Sequence, residues 1–122
     1  MDLDLTGKTA LITGGSKGIG KAIAAALLAE GASVTLVSRD AAQLQETQAA
    51  LGPDRVTILP ADLASDAGRL DMLGAVETPD ILINNAGAIR AGRLDGMSMD
   101  DIRGDWDLKV FGYINLCRAA YA

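Results

Sequence analysis

The chain has 122 residues, of which 49% are hydrophobic and 22% charged, and this composition suits a single folded domain with one core. Its 16 acidic and 11 basic side chains give a net charge of −5, which argues against a nucleic-acid-binding protein, because such proteins neutralise phosphates with basic surfaces. No apolar run approaches the roughly 20 residues of a membrane span, and the N-terminus has no secretory signal pattern, so we expect neither a nucleic acid nor a membrane as a partner.

Short apolar runs alternate with segments of helical periodicity, in the order βαβαβαβα. The predicted strands are residues 9–12, 33–37, 56–59 and 81–83. The first predicted helix ends at Gly31, and the second runs from Asp40 to Gly52. The third begins at Ser65, and the last runs from Asp100 to Ala122. Strands that are apolar throughout indicate a parallel sheet buried on both faces. Right-handed crossovers then predict an incomplete, doubly wound α/β fold with strand order 3-2-1-4.

The last predicted helix is apolar on more than one side. Its apolar residues are Ile102, Trp106, Val110, Tyr113 and Cys117 along one stripe, and Leu108, Phe111 and Leu116 off that stripe. A helix with two apolar sides has to be buried on both of them. We therefore expect a further subunit or further chain to cover this helix, and we predict a homo-oligomer.

The cysteine and histidine counts exclude several kinds of site. Cys117 is the single cysteine and cannot form an internal disulfide, which fits a reducing compartment and predicts a cytoplasmic protein. Because the chain has no histidine, it has no Ser-His-Asp or Cys-His catalytic system and no histidine-based metal site. We expect no metal.

A glycine-rich segment, residues 13–20, joins the first predicted strand to the first predicted helix; we call it the glycine loop. Glycine permits left-handed backbone angles and close approach to a ligand, and the amides at a helix N-terminus attract an anion. The position directly after a strand favours a phosphate-binding loop over a merely structural turn. The residues expected to contact the ligand are Gly14, Ser16, Lys17, Gly18, Ile19 and Gly20.

The Gly-x-x-x-Gly-x-Gly spacing of this loop, with Thr13 in front of it, resembles that of the short-chain dehydrogenase/reductase family. Three further segments match the family in the expected order: Leu5-Thr6-Gly7-Lys8, Asp62-Leu63 and Asn84-Asn85-Ala86-Gly87. The resemblance implies a Rossmann-like fold, and it covers essentially the whole chain. Residues 1–122 are then expected to be a dinucleotide-binding domain that forms the N-terminal part of a longer one.

The same resemblance implies roles for the residues that follow the third and fourth strands. Asp62 is expected to bond the adenine amino group of a dinucleotide, with Leu63 beside it. Asn85, Ala86 and Gly87 are expected to line the cofactor cleft.

The end of the second strand indicates which cofactor is bound. An NAD-selective site has an acidic side chain there, whereas this chain has the neutral Ser38 followed by Arg39. A guanidinium can bond a 2′-phosphate through two charge-assisted hydrogen bonds, and Lys17 is placed to add a second positive charge. We assign Asp40 to capping the next helix. The pattern favours NADP(H) over NAD(H).

The resemblance implies hydride transfer between this cofactor and a small carbonyl or alcohol substrate. The family reaction uses a Tyr, a Lys four residues later and an upstream Ser, and an ammonium beside a phenol favours the phenolate. Tyr113 is followed four residues later by Cys117, and Tyr121 only by Ala122, so no Tyr-x-x-x-Lys is present. We expect this chain alone to be inactive. The alternative is a non-catalytic dinucleotide-binding module or a structural partner.

A further family residue is a catalytic Asn on the last of these helices. Lys109 occupies its expected position, three residues before Gly112. Asn115 is the alternative, although it loses the match to the glycine. We favour Lys109, which departs from the usual residue type.

Overall fold

The computed structural model describes residues 2–87 and 92–121. Its core is a four-stranded parallel sheet in the order β3-β2-β1-β4, which confirms the predicted topology. The strands are β1 (Thr9–Thr13), β2 (Ser33–Ser38), β3 (Val56–Pro60) and β4 (Ile81–Asn84). The helices are α1 (Gly18–Ala29), α2 (Ala41–Leu51), α3 (Asp66–Ala75), α4 (Met99–Trp106) and α5 (Tyr113–Tyr121). Among the described helices, none is long and apolar enough to cross a membrane.

The strand register brings the carboxyl ends of the central strands together. Thr13, the last residue of β1, pairs with Val37 of β2 and with Asn84 of β4. The segments that follow these strands therefore leave the sheet along one edge, where ligands of open α/β sheets bind.

Apolar side chains cover both faces of the sheet, as the uninterrupted apolar strands predict. One cluster packs beneath α1 and α2 and contains Ala10, Ile12, Ala24, Val34, Leu36, Leu44 and Val56. The other lies against α3 and α5 and contains Leu11, Val37, Leu63, Met72 and Leu116.

The predicted helix starts are confirmed by their capping hydrogen bonds. The carboxylate of Asp40 accepts from the Gln43 amide at 3.0 Å, and the Ser65 hydroxyl accepts from the Gly68 amide at 3.0 Å. Each bond satisfies an amide that has no partner within its helix. The capping role assigned to Asp40 is therefore correct.

The predicted single helix from Asp100 to Ala122 is wrong in its interior. A π-helical segment, Asp107–Gly112, separates α4 from α5. Its i→i+5 hydrogen bonding adds a residue per turn, so an α-helical stripe drawn through both halves loses its phase. Leu116, which lies off the predicted stripe, is buried, whereas Trp106 and Cys117, which lie on it, are exposed.

Asp80 joins the starts of β1 and β4, at the end of the sheet opposite the glycine loop. Its carboxylate accepts from the Thr9 amide at 2.9 Å and from the Thr9 hydroxyl at 3.3 Å, while its own amide donates to that hydroxyl at 3.2 Å. The bond from the Thr9 amide is the main cause of a lowered pKa of Asp80, and the Thr9 hydroxyl and the charge of Lys8 add to it.

Arg69 on α3 is a buried cation that joins two distant segments, with only 4% of its surface exposed. Its Nη1 donates to the Leu63 carbonyl at 2.7 Å and to the Asp107 carbonyl at 3.4 Å. Its Nη2 pairs with the carboxylate of Asp66, while Nε has no partner among the described residues. The guanidinium thus ties the loop after β3 to the first residue of the π-helical segment.

The pKa shift of Asp80 predicts a pH-dependent stability. Because the folded-state pKa lies below the ordinary value of 3.8, the carboxylate stabilises the fold above that value, and this contribution is lost as the pH falls through the folded-state pKa. We expect Asp80→Asn to lower the urea midpoint at about pH 7 and the difference from the native protein to shrink towards about pH 3. Glu77→Gln, at an exposed position, is the control. A deficit of Asp80→Asn that stays constant over this pH range would contradict the assignment.

Arg69→Met is expected to lower the free energy of unfolding by about 1–3 kcal/mol, because the Leu63 carbonyl loses its charge-assisted partner. Urea denaturation measures the change. Arg93→Met is the matched control, since the Arg93 side chain is 88% exposed and, among the described residues, forms its ion pair with Asp95, and its effect should stay within about 0.5 kcal/mol. Equal effects of the two substitutions would show that the buried contacts of Arg69 contribute nothing.

Candidate functional site

The glycine loop lies between β1 and α1, as predicted. Gly14 and Gly18 have φ angles of 69° and 59°, in the left-handed region that favours glycine. Lys17 precedes α1 in an extended conformation, and no side chain caps the first amides of this helix. The amides that open α1 are therefore placed to bind an anion.

Close packing explains several glycines of the loop, but not Gly18. A Cβ on Gly14 would lie 2.8 Å from the Cα of Ala86, and one on Gly15 would lie 2.7 Å from a methyl carbon of Leu36. A Cβ on Gly20 would collide with the carbonyl oxygen of Gly14. Around Gly18 a Cβ would meet nothing within 4 Å. Its surroundings leave space for a ligand to approach the backbone.

Thr13 anchors the segment that follows β4, residues 84–87, which we call the β4 turn. Its buried hydroxyl accepts from the amides of Asn85 and Ala86, each at 3.1 Å, and donates to the Ile83 carbonyl at 3.4 Å. The Asn85 side chain donates to the Gly14 carbonyl at 3.1 Å. These bonds hold the β4 turn against the glycine loop, so the structure brings together two segments that the sequence places far apart.

The end of β2 lies beside the glycine loop. The Ser16 hydroxyl donates to the Ser38 hydroxyl at 3.3 Å, and the buried Thr47 hydroxyl donates to the Ser16 carbonyl. Arg39 and Lys17 are exposed, and neither forms an ion pair within the described part of the chain. Both cations thus remain open to a ligand.

Asp62 and Leu63 follow β3, where the sequence predicts them. Asp62 is exposed, and its carboxylate accepts from the Ala64 amide at 3.0 Å. The Leu63 side chain is buried in the core, so Leu63 has only backbone to offer a ligand. Ile19, on the first turn of α1, is 73% exposed.

Lys109 lies at the β4 turn. The end of its side chain fills the space beside Gly87, where a Cβ would collide with it. Its ammonium donates to the Tyr113 hydroxyl at 3.2 Å, and that hydroxyl donates to the Ala86 carbonyl at 2.7 Å. Asn115, the alternative, is half-buried on α5, and its side chain forms no hydrogen bond with the described residues.

Sequence reasoning missed three residues that shape this site: Thr13 as the anchor of the β4 turn, Arg69 and Tyr113. The only sequence signal for Tyr113 is its i+4 spacing from Lys109, which places two helical side chains on one face. Nothing in the local sequence marks Arg69 as buried. A further feature of the β4 turn is the Asn84 side-chain oxygen, which is buried and has no partner among the described residues.

Known structures share this fold closely. The crystal structure of L-sorbose reductase from Gluconobacter frateurii, complexed with NADPH and L-sorbose, matches 98% of this chain and 48% of its own with a TM-score of 0.91 and 33% identity. A short chain dehydrogenase from Burkholderia cenocepacia in complex with NADP matches 96% of this chain and 51% of its own, with a TM-score of 0.87 and 38% identity.

Sequence comparison agrees. Nodulation protein G of Rhizobium sp. is 43% identical over 109 residues, which cover 85% of this chain and 42% of that protein. The chain spans about half the length of the curated relatives it matches. A family model described as short chain dehydrogenase matches residues 8–122. The fold, the glycine loop and these matches together establish that the chain belongs to the short chain dehydrogenase family.

Proposed function

We propose that this chain is the dinucleotide-binding part of an NADP(H)-dependent oxidoreductase that acts on a small carbonyl or alcohol. The observation that carries the proposal is the glycine loop, because α1 begins there without a side-chain cap and Gly18 leaves its backbone open. In this proposal the cofactor phosphates bind the first amides of α1, where the helix dipole favours negative charge. Gly18 allows the backbone to approach them, whereas close packing accounts for Gly14 and Gly20, which remain proposed contacts of the loop.

The adenosine half of the cofactor is proposed to lie on the β2 and β3 side of the loop. Arg39 and Lys17 would bond the 2′-phosphate, since both are exposed and form no ion pair with described residues. Ser38 adds no negative charge there, and Asp40 already accepts a bond from the amide of Gln43. The solved relatives complexed with NADPH and NADP support the choice of cofactor.

We propose that the carboxylate of Asp62 accepts a hydrogen bond from the adenine amino group. Asp62 is exposed, and its carboxylate is oriented by the bond from the Ala64 amide. Leu63 would contact the cofactor through its backbone, because its side chain belongs to the core. The Leu63 carbonyl is held in place by Arg69, which gives that buried cation a part in shaping this end of the site.

The nicotinamide half is proposed to lie at the β4 turn, against Asn85, Ala86 and Gly87, on the other side of the glycine loop. When bound, nicotinamide supplies or accepts the hydride. Asn85 fixes the turn through its bond to Gly14, and Lys109 extends beside Gly87 at the point where a substrate has to approach. Lys109 is the residue of this chain that we propose to act on the substrate.

The catalytic step is proposed for the protein as a whole, because this chain spans about half the length of its curated relatives and contains no Tyr-x-x-x-Lys. The cytoplasmic location and the homo-oligomer stay predictions. Trp106, Phe111 and Ile114 are each more than half exposed, which agrees with a covering subunit or segment.

Gly18→Val is expected to weaken NADPH binding strongly, because its side chain occupies the open space at the proposed phosphate site. Gly7→Val is the matched control, since Gly7 has a φ of 80°, also has nothing within 4 Å of a Cβ, and lies before β1. The two variants carry similar backbone strain, but only Gly18→Val should raise the Kd by about tenfold or more, equivalent to ~1.4 kcal/mol. Titration followed by nicotinamide fluorescence measures this. Equal losses would remove the loop from the site.

Arg39→Ala is expected to weaken the binding of NADPH by about tenfold to a hundredfold, because a charge-assisted hydrogen bond to phosphate contributes roughly 1.5–3 kcal/mol. NADH, which has no 2′-phosphate, should bind almost as before. Arg103→Ala removes the same charge from an exposed position on α4 and serves as control. An equal loss for both cofactors in competitive titrations would place Arg39 outside the 2′-phosphate site.

A further inference from the structure

Lys109 carries a half-buried positive charge that the described part of the chain does not neutralise. None of the ion pairs among the described residues includes it. The undescribed residues 88–91 contain no Asp or Glu either. Removing a cation partly from water without a counter-charge costs free energy. A cation retained in such a position indicates an anion that is supplied from elsewhere.

Tyr113 holds this ammonium without neutralising it. The phenol proton goes to the Ala86 carbonyl, so the phenol oxygen accepts one N–H of Lys109 as a neutral group. A lysine ammonium has three N–H donors, and no hydrogen bond to a described residue uses the others. The charge is therefore positioned, and it keeps donors for a ligand.

The backbone is also arranged around Lys109. The residue lies in the π-helical segment Asp107–Gly112, and π-helical turns are rare and frequent at functional sites. The end of the lysine side chain occupies the space beside Gly87 that a Cβ would otherwise fill. The pairing of β1 with β4 on one side and β2 on the other separates Lys109 from the proposed adenosine end at Ser38 and Arg39.

We infer that Lys109 binds the carboxylate of the substrate, so that the protein selects oxo acids, or the corresponding hydroxy acids, over neutral carbonyl compounds. This inference rests on the proposed function, because it needs the nicotinamide half of the cofactor at the β4 turn. The cofactor phosphates are assigned to the amides of α1. Tyr113 is a positioning residue that keeps the ammonium at the turn through its bond to Ala86.

The test compares oxo acids with their neutral methyl esters on the intact protein saturated with NADP⁺. The probes are 2-oxopropanoate, 3-oxobutanoate and 4-oxopentanoate, in which the carboxylate stands at increasing distance from the carbonyl. The readout is the NMR signal of ¹³Cε-labelled lysine, with Lys109 identified by the signal that Lys109→Arg removes. At least one acid should shift the Lys109 signal, and its ester should not.

Affinities give a second readout that does not need turnover. The preference for the acid over its ester should fall by about tenfold or more, ~1.4 kcal/mol, in Lys109→Met and should be largely kept in Lys109→Arg. Lys8→Met, at the opposite end of the sheet, is the control for total charge and should keep the preference. Tyr113→Phe should weaken the binding of the oxo acid but leave the affinity for NADPH almost unchanged.

Each outcome decides the question. An acid preference that depends on Lys109 supports the inference. If the Lys109 signal shifts on NADP⁺ addition alone and no acid moves it further, the cofactor is the anion and the inference is overturned. If no acid is preferred while NADPH still binds, the inference fails and the proposed function stands. If NADPH does not bind the native protein, the proposed function itself is wrong.

Discussion

The site depends on one hydroxyl group, that of Thr13, which joins two turns far apart in the sequence. This hydroxyl accepts hydrogen bonds from two amides of the β4 turn, and the backbone of Thr13 pairs with both neighbouring strands. Without it, two partly buried N–H groups would have no partner, which is costly in a protein interior. Because the glycine loop and the β4 turn then lie so close together, a side chain at Gly14 or Gly20 would collide with its neighbours. The shape of the glycine loop therefore follows from a tertiary contact as much as from its own sequence.

A second pair of contacts positions Lys109. The Asp107 carbonyl accepts from Arg69, and the Tyr113 hydroxyl donates to the Ala86 carbonyl. These contacts stand at the two ends of the π-helical segment, where the chain is fastened to the loop after β3 and to the β4 turn. A wider turn between fixed ends accommodates one more residue per turn than an α-helix. Lys109 lies within this turn, so its place beside Gly87 depends on both attachments.

The sequence predicts those features that local chemistry determines. The strands, their parallel order, the caps at Asp40 and Ser65, and the position of the glycine loop all follow from short apolar runs, capping residues and glycine spacing. The π-helical segment does not follow from them, and its two ends contact residues far away in the chain, Arg69 and Ala86. For the same reason the predicted apolar stripe does not hold through both halves of the helix, since a periodicity carries no information about an inserted residue.

Charge along the carboxyl edge of the sheet links both ends of the proposed site. The chain has a net charge of −5, yet Lys17, Arg39 and Lys109 at this edge form no ion pair with described residues. Two acidic residues at the same edge, Asp40 and Asp62, each accept a hydrogen bond from a backbone amide. Such bonds direct each carboxylate towards the backbone of its own turn. Lys17, Arg39 and Lys109, which have no ion-pair partner among the described residues, therefore offer this edge's positive charge to a ligand that carries several negative charges.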